Sequence, residues 1–282
     1  MASYAGEVRI KTALDTTGIN AGTKQITSAL ANIGAMAGKL LGAVGITVGI
    51  AALARLGKEG VKAAMQMESA QKSLQFLTNA TGRSFQTANN FVQEFISDGL
   101  VPAADAYEAY KNMVARGYDT SQIEQMLNVM KDSAVYGRQA GIEIGEAIVK
   151  TSQGLRMENS ILTDSVGIQK NVAKMWDEYA KSIGTTTNRL TDAKKRQAEF
   201  NGFMAEGGVY AGAAAQYTQS YAGRVSQLSA AFNELKVAIG NGLIPILNAI
   251  IPSLITVINF FTILFNIIGR LVNLLFGTNV SM

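Results

Sequence analysis

The chain has 282 residues, enough for one large domain or two modest ones, and carries a mild formal charge of +4. It contains neither cysteine nor histidine, which excludes disulfides, zinc–sulfur sites and every nucleophile arrangement that needs a histidine base. Only 3 prolines occur, and this favours helix because proline costs about 3 kcal/mol in a helix interior.

The remaining residue types do not suggest an enzyme. There is no glycine-rich phosphate loop and no dense carboxylate cluster, and neighbouring acids such as Asp177 and Glu178 would point to different sides of a helix. The basic cluster 194–196 follows a helix start at 191–192 and lacks interleaved aromatic residues. This favours a solvated helix face over a phosphate-binding patch. We expect no catalysis, no cofactor and no bound metal.

The first residues predict a short β-strand. Apolar and polar side chains alternate from Glu7 to Leu14, a pattern typical of a half-buried strand, and the turn-prone run 15–18 ends it. We expect the strand to pair with another chain or to pack against helices. We expect no signal peptide, because charged residues interrupt any apolar core.

A glycine-rich helical segment follows the strand. Its glycines recur at intervals of four and three residues and lie within or beside an uncharged run, 40–54. Small residues at this spacing let helix backbones approach closely, as membrane helices do. We favour close packing over a membrane span, because fifteen residues are short for a span. The close-packing glycines are Gly34, Gly38, Gly42, Gly45 and Gly49.

The middle of the chain predicts a bundle of short helices. An apolar stripe at helical spacing runs over 85–96, and a further helix is expected from Pro102 to a cap at Gly117. Ser121 and Glu124 match a capping box. Another helix is expected over 142–153, ended by Gly154. Methionine and aromatic residues on these faces are interpreted as core.

A longer amphipathic helix is predicted next. Six apolar residues follow the 4-3-4-3-4 spacing of a coiled-coil seam, with polar residues between them. The alternative is a long helix that packs with its own domain. The predicted seam consists of Tyr221, Val225, Leu228, Phe232, Leu235 and Ile239.

The C-terminal part of the chain predicts a membrane-type helix. No charged residue occurs from Val237 to Gly269, which is 33 residues, and about 20 helical residues cross a bilayer. The alternative is a core helix buried in an oligomer. Representative apolar residues of this membrane segment are Leu243, Ile251, Leu254, Ile258, Phe260, Phe261, Phe265, Ile268 and Leu275.

Polar residues inside this segment share one side of the predicted helix. At 100° per residue, the four asparagines fall within about 40° of one another. Amides facing lipid are costly, which favours a stripe turned toward partner helices or a watery lumen over one that faces lipid. The predicted polar stripe consists of Asn248, Asn259, Asn266, Asn273 and Arg270.

Three stretches of the chain, in order, are Glu7–Gly22, Ala104–Gly137 and Leu228–Pro252. Together they resemble tape measure proteins of tailed phages and phage-like elements. Glu7–Gly22 is similar to their opening strand and turn, and Ala104–Gly137 to their helical core. Leu228–Pro252 resembles the region that precedes their hydrophobic segment. Members of that family are usually far longer. This chain could span at most about 420 Å as one helix, which suggests a short ruler, a fragment or a member specialised for its membrane segment.

The resemblance implies a virion protein that lies in several copies inside the tail tube and sets tail length during assembly. It implies release at infection, when the hydrophobic segment helps DNA through the host inner membrane. The implied partners are copies of itself, the tail tube protein, tail assembly chaperones, distal tail or baseplate hub proteins, the host inner membrane, and passing DNA without sequence-specific binding. The implied locations are the tail lumen, the host cytoplasm during assembly and the inner membrane at infection.

The alternative function is a cellular membrane-anchored or pore-forming helical protein. The predicted fold is mainly α, with a short N-terminal β-strand, a helical bundle, a long coiled-coil-like helix and a C-terminal transmembrane-type helix. The predicted regions are 1–18, strand and turn; 19–60, glycine- and alanine-rich segment; 61–205, helical domain; 206–241, coiled-coil-like helix; 243–276, hydrophobic segment; and 277–282, tail.

Overall fold

The computed structural model describes residues 50–159, 164–245 and 248, with side chains from residue 55 onward. Of the described residues 80% are helical and none forms a strand, which confirms the mainly α prediction. The predicted N-terminal strand, the close-packing glycines 34–49 and the hydrophobic segment beyond residue 248 lie outside this part of the chain.

The described residues form a series of mostly short helices. They are α1 (Ile50–Ala80), α2 (Phe85–Ile96), α3 (Ala103–Arg116), α4 (Thr120–Gly137), α5 (Ile144–Arg156), α6 (Val172–Ser182), α7 (Asp192–Gly207), α8 (Ala213–Tyr217) and α9 (residues 221–245). Single 3-10 turns occur at Asp164–Val166, Thr187–Arg189 and Gly208–Tyr210.

The chain divides into two compact units. One consists of residues 59–240 and contains most of the described helices. The other consists of residues 1–58 and 241–282, of which the structure describes 50–58, 241–245 and 248.

Several helix ends follow from local sequence. Gly117 ends α3 in a left-handed conformation with φ of 94°, as predicted for a glycine cap. The Thr191 hydroxyl accepts the Lys194 N–H at the start of α7, also as predicted. Both caps need only residues within a few positions of the helix end.

Two predicted boundaries are wrong. The capping box of α4 is formed by Asp119 and Gln122, two residues earlier than predicted, and each side chain accepts a hydrogen bond from the other residue's backbone N–H. Helix α5 begins at Ile144 and does not end at Gly154. Gly154 lies buried inside the helix, where packing overrides the weak helix preference of glycine.

The core of unit 59–240 lies around α3, α4 and α5. Helix α3 packs most extensively on α5, and α4 contacts α3, α5, α7 and α8. The largest fully buried side chains include three tyrosines, Tyr107, Tyr110 and Tyr118. Methionines and branched residues fill the space between them, namely Met113, Ile123, Met126, Leu127, Met130, Ile144 and Ile148. These faces are core, as predicted.

The search for membrane spans concerns the described helices alone. Within residues 50–159, 164–245 and 248, no helix has both the length and the apolar character to cross a bilayer.

Candidate interaction surface

Within unit 59–240, helix α9 packs on the other helices through small residues. Gly223, Ser226, Ala230 and Gly240 are buried and recur at helical spacing. At its C-terminal end the contact is backbone on backbone, because a Cβ on Gly240 would collide with the Gly60 carbonyl of α1. A face of small residues lets α9 lie close to its neighbours but offers little apolar area for holding it there.

Polar side chains supply specific contacts along the same face of α9. The Gln227 side-chain amide donates to the Asp98 carbonyl at 2.8 Å. The Glu234 carboxylate accepts the Ala103 N–H at 3.0 Å, at the start of α3. Since Pro102 provides no side-chain cap there, Glu234 caps α3 from another helix.

The opposite face of α9 presents large apolar side chains to solvent. Tyr221 is 85% exposed, Leu228 70%, Val225 49% and Phe232 47%. These four residues, which we call the α9 stripe, are the first four positions of the predicted coiled-coil seam. The last two positions, Leu235 and Ile239, are half-buried, and Ile239 lies against Gly60.

The alternative to a coiled coil was a long helix packed on its own domain, and the α9 stripe is exposed on such a helix. The helix does pack on its domain, but through the small-residue face. A coiled coil between chains remains a prediction for this stripe.

The α9 stripe is close to neutral. Its flanking positions 222, 229, 231 and 238 carry alanine or serine, and Arg224 is an exposed charge beside it. The Lys236 ammonium forms an ion pair with the Glu59 carboxylate at 3.2 Å and lies over the Phe232 ring, 4.9 Å from its centroid. A second neutral apolar helix could therefore approach without charge repulsion.

The area of the α9 stripe limits what it can hold by itself. A fully buried aromatic side chain contributes roughly 150–250 Å², so the four residues present on the order of 400 Å². Two such faces would bury about 800 Å², less than the roughly 1,000 Å² of a stable specific interface. The stripe therefore suits a weak pair, or one contact within a larger bundle.

Of the residues named above for the membrane segment and the polar stripe, the structure describes two. Leu243 is half-buried, and its Cδ1 atom would lie 3.4 Å from a Cβ on Gly57. Asn248 is helical and exposed. The others lie outside the described residues: Ile251, Leu254, Ile258, Asn259, Phe260, Phe261, Phe265, Asn266, Ile268, Arg270, Asn273 and Leu275.

Sequence reasoning missed a buried polar cluster around Glu199 of α7. This carboxylate is fully buried and accepts from Arg116 at 2.7 and 3.2 Å and from the Trp176 indole at 2.9 Å. The Tyr118 hydroxyl also donates to it. Burial, and next the Glu199 carboxylate, raise the pKa of Tyr118 well above its ordinary value, so the phenol remains a donor.

The Glu199 cluster holds helices together and leaves no oxygen free for a substrate. Arg116 lies at the end of α3, Trp176 on α6 and Glu199 on α7, so the cluster joins three helices. Arg116 also pairs with Glu158 at 3.1 Å. Glu199 lies 83 positions from Arg116, 81 from Tyr118 and 23 from Trp176. No spacing pattern links them, which is why the cluster was not predicted.

No protein-family model, curated protein or solved structure matches the chain.

Proposed function

We propose that the chain is a tail tape measure protein of a phage or phage-like element. In this role it occupies the tail lumen, sets tail length, and is released at infection to help form a membrane channel for DNA. The observation that carries the proposal is the α9 stripe, an exposed apolar seam at heptad spacing. In the sequence, α9 leads directly into the uncharged stretch from Val237 to Gly269.

This combination of features supports a chain that works in several copies inside a shell. A monomer in water would leave the α9 stripe exposed, and it would also have to shield a segment of membrane length. Copies aligned side by side would cover the stripes, and a surrounding tube would keep the hydrophobic segments from water until release. The proposed partners are therefore other copies, the tail tube protein, assembly chaperones and distal tail proteins.

A ruler needs a contiguous helical structure along the tail axis and no catalytic groups. The Glu199 cluster is compatible with that role, because its polar groups hydrogen-bond to one another and so join α3, α6 and α7. The host inner membrane and the passing DNA are proposed as later contacts, without sequence-specific DNA binding.

The test is to lengthen the proposed ruler and measure assembled tails by electron microscopy. Four heptads of designed helix, inserted between residues 242 and 243 in phase with α9, would add about 42 Å. We expect tails longer by about that amount. Because a tube lengthens by whole rings of subunits, the increase in tail length should come in steps of one ring.

The control carries the same 28 residues in the exposed turn after Gly184, where they do not extend α9. These tails should keep the original length. Tails of unchanged length from both insertions would argue against the ruler role for this part of the chain.

A further inference from the structure

Helix α1 also has an exposed apolar face, which differs in charge from the α9 stripe. Phe76 is 76% exposed and Met65 60% exposed, whereas Ala64 and Leu74 on the other side are buried. At 100° per residue the exposed positions fall within an arc of about 80° and extend over about 21 Å. This α1 face consists of Lys62, Met65, Ser69, Lys72 and Phe76.

Further cations border the α1 face. A groove of about 530 Å³ between α1 and α3 has Phe76 on one side and Lys111 on the other, with Arg156 of α5 also lining it. Lys72 pairs with Glu68 and Lys111 with Glu108, each at 2.5 Å. The four cations at 62, 72, 111 and 156 therefore outnumber the two carboxylates, and the surface keeps a positive charge.

We propose that the α1 face is a docking surface for an anionic lipid bilayer. Phe76 and Met65 would enter the boundary between headgroups and acyl chains, while Lys62, Lys72 and the bordering cations meet the lipid phosphates. Cations flanking apolar residues on one helix face are the pattern of helices that lie in a membrane interface.

The charge of the α1 face favours a bilayer over two other possible occupants, a second copy of the chain and a nucleic acid. A second copy docked on the same face would set lysines against lysines, whereas the α9 stripe is nearly neutral and lacks that repulsion. A duplex nucleic acid would meet the cations, but Phe76 and Met65 lie on the midline of the α1 face and are exposed, so its phosphates would have to pack against apolar side chains. An anionic bilayer accommodates both kinds of side chain, because its acyl region accepts the apolar residues and its phosphates pair with the lysines. The inference rests on the proposed function, because delivery into a cell brings the chain to a membrane.

The experiment uses the full chain with one fluorescent label at a chosen site. Because the natural sequence has no cysteine, Ser69→Cys places a single polarity-sensitive dye in the α1 face and leaves Met65 and Phe76 intact. Ser182→Cys, on the exposed end of α6, is the matched control. Vesicles of neutral phosphatidylcholine are compared with vesicles containing about one third phosphatidylglycerol, and flotation reports binding of the whole chain.

We expect the dye at position 69, but not at 182, to shift to the blue with anionic vesicles only. In a Lys62→Glu, Lys72→Glu background the vesicle concentration for half-maximal shift should rise about tenfold or more. Met65→Ser with Phe76→Ser should abolish the shift. Both effects distinguish binding through the α1 face from binding through the hydrophobic C-terminal segment, because that segment would bind neutral vesicles as well.

Three outcomes would overturn the inference. If the chain floats with vesicles while the dye at 69 stays in water, membrane delivery survives and the α1 face has no part in it. If the chain floats with neither vesicle, both the docking surface and the membrane role fail. If the dye at 69 responds to duplex DNA and not to vesicles, the face binds polyphosphate instead.

Discussion

Glu199 shows how one residue can set the stability of three helices. Its carboxylate is buried at 0% exposure and is matched by the Arg116 guanidinium, whose side chain is 8% exposed. A buried ion pair adds little net stability compared with an apolar pair, but the loss of one partner leaves the other charge unmatched in the interior.

We predict that Glu199→Gln lowers the free energy of unfolding by about 3 kcal/mol. The effect should lie at the low end for buried pairs because Glu158 still bonds Arg116. Urea denaturation followed by the fluorescence of Trp176, the sole tryptophan, measures it. Tyr118→Phe removes one donor and keeps the ion pair, so it should destabilise less. A larger loss in Tyr118→Phe would show that the ion pair is not the main contributor.

Asp105 of α3 makes stability depend on pH. Burial, followed by the nearby Glu146, Glu108 and Glu234 carboxylates, raises its pKa from 3.8 to about 6. The folded state therefore holds this proton more tightly than the unfolded state. Its contribution is fully present below pH 3.8 and is lost as the pH rises through about 6.

We predict that Asp105→Asn is more stable than the wild type at pH 7 to 8, by about 1–2 kcal/mol after allowance for partial exposure. The difference should shrink as the pH falls from 6 to 4, because the wild-type group becomes neutral. Urea midpoints at four pH values measure it. Asp192→Asn, a carboxylate in the first turn of α7, is the control for loss of an exposed charge. A constant difference across pH would refute the assignment.

At the scale of elements, the crossing of α1 and α9 depends on two glycines. A Cβ on Gly60 would lie 2.9 Å from the Lys236 carbonyl oxygen and 3.1 Å from the Gly240 nitrogen. A Cβ on Gly240 would meet the Gly60 carbonyl. Neither neighbour is a flexible side chain, so the backbones themselves would have to separate.

We predict that Gly240→Ala destabilises unit 59–240 by about 1–3 kcal/mol, through overpacking. The sign is informative, because the same change at an open helical site stabilises by roughly 0.5–1 kcal/mol. Gly242→Ala, two residues further along α9 with nothing within 4 Å, is the matched control. Thermal unfolding of both variants measures the contrast. Equal midpoints for the two would contradict the close crossing.

Local caps were predictable from sequence, whereas remote ones were not. Gly117 and Thr191 act on residues next to them, so a short pattern suffices. The capping box was misplaced because Ser121 and Glu124 fit the same four-residue pattern as Asp119 and Gln122. The cap of α3 joins Glu234 to Ala103 across 131 positions, and nothing in either local sequence indicates it.

For the candidate surface, periodicity predicted which residues share a side of α9 but not where that side points. Tyr221 and Leu228 have the apolar character of core residues, yet the domain uses Gly223 and Ala230 instead. Small residues are weak signals in a hydrophobicity pattern, although they decide how closely two helices approach.

At the scale of the whole molecule, we predict that the α9 stripe promotes self-association. Tyr221→Ser with Leu228→Ser should weaken association at least tenfold and change the free energy of unfolding by about 0.5 kcal/mol or less, because both side chains are exposed. Sedimentation in a non-ionic detergent, which shields the C-terminal segment, measures the association.

The control makes the same kind of change at exposed apolar residues elsewhere, Met157→Ser with Ile183→Ser. It should leave association intact. Comparable weakening by both pairs of substitutions would mean that no particular face is responsible.

The remote cap by Glu234 gives α9 a mechanical connection to the middle of the domain. A force that drew α9 away would remove the acceptor from the Ala103 N–H, and α3 is the helix against which α2 and α5 pack. Tension applied along α9 would therefore act on the start of α3, in the core of the domain.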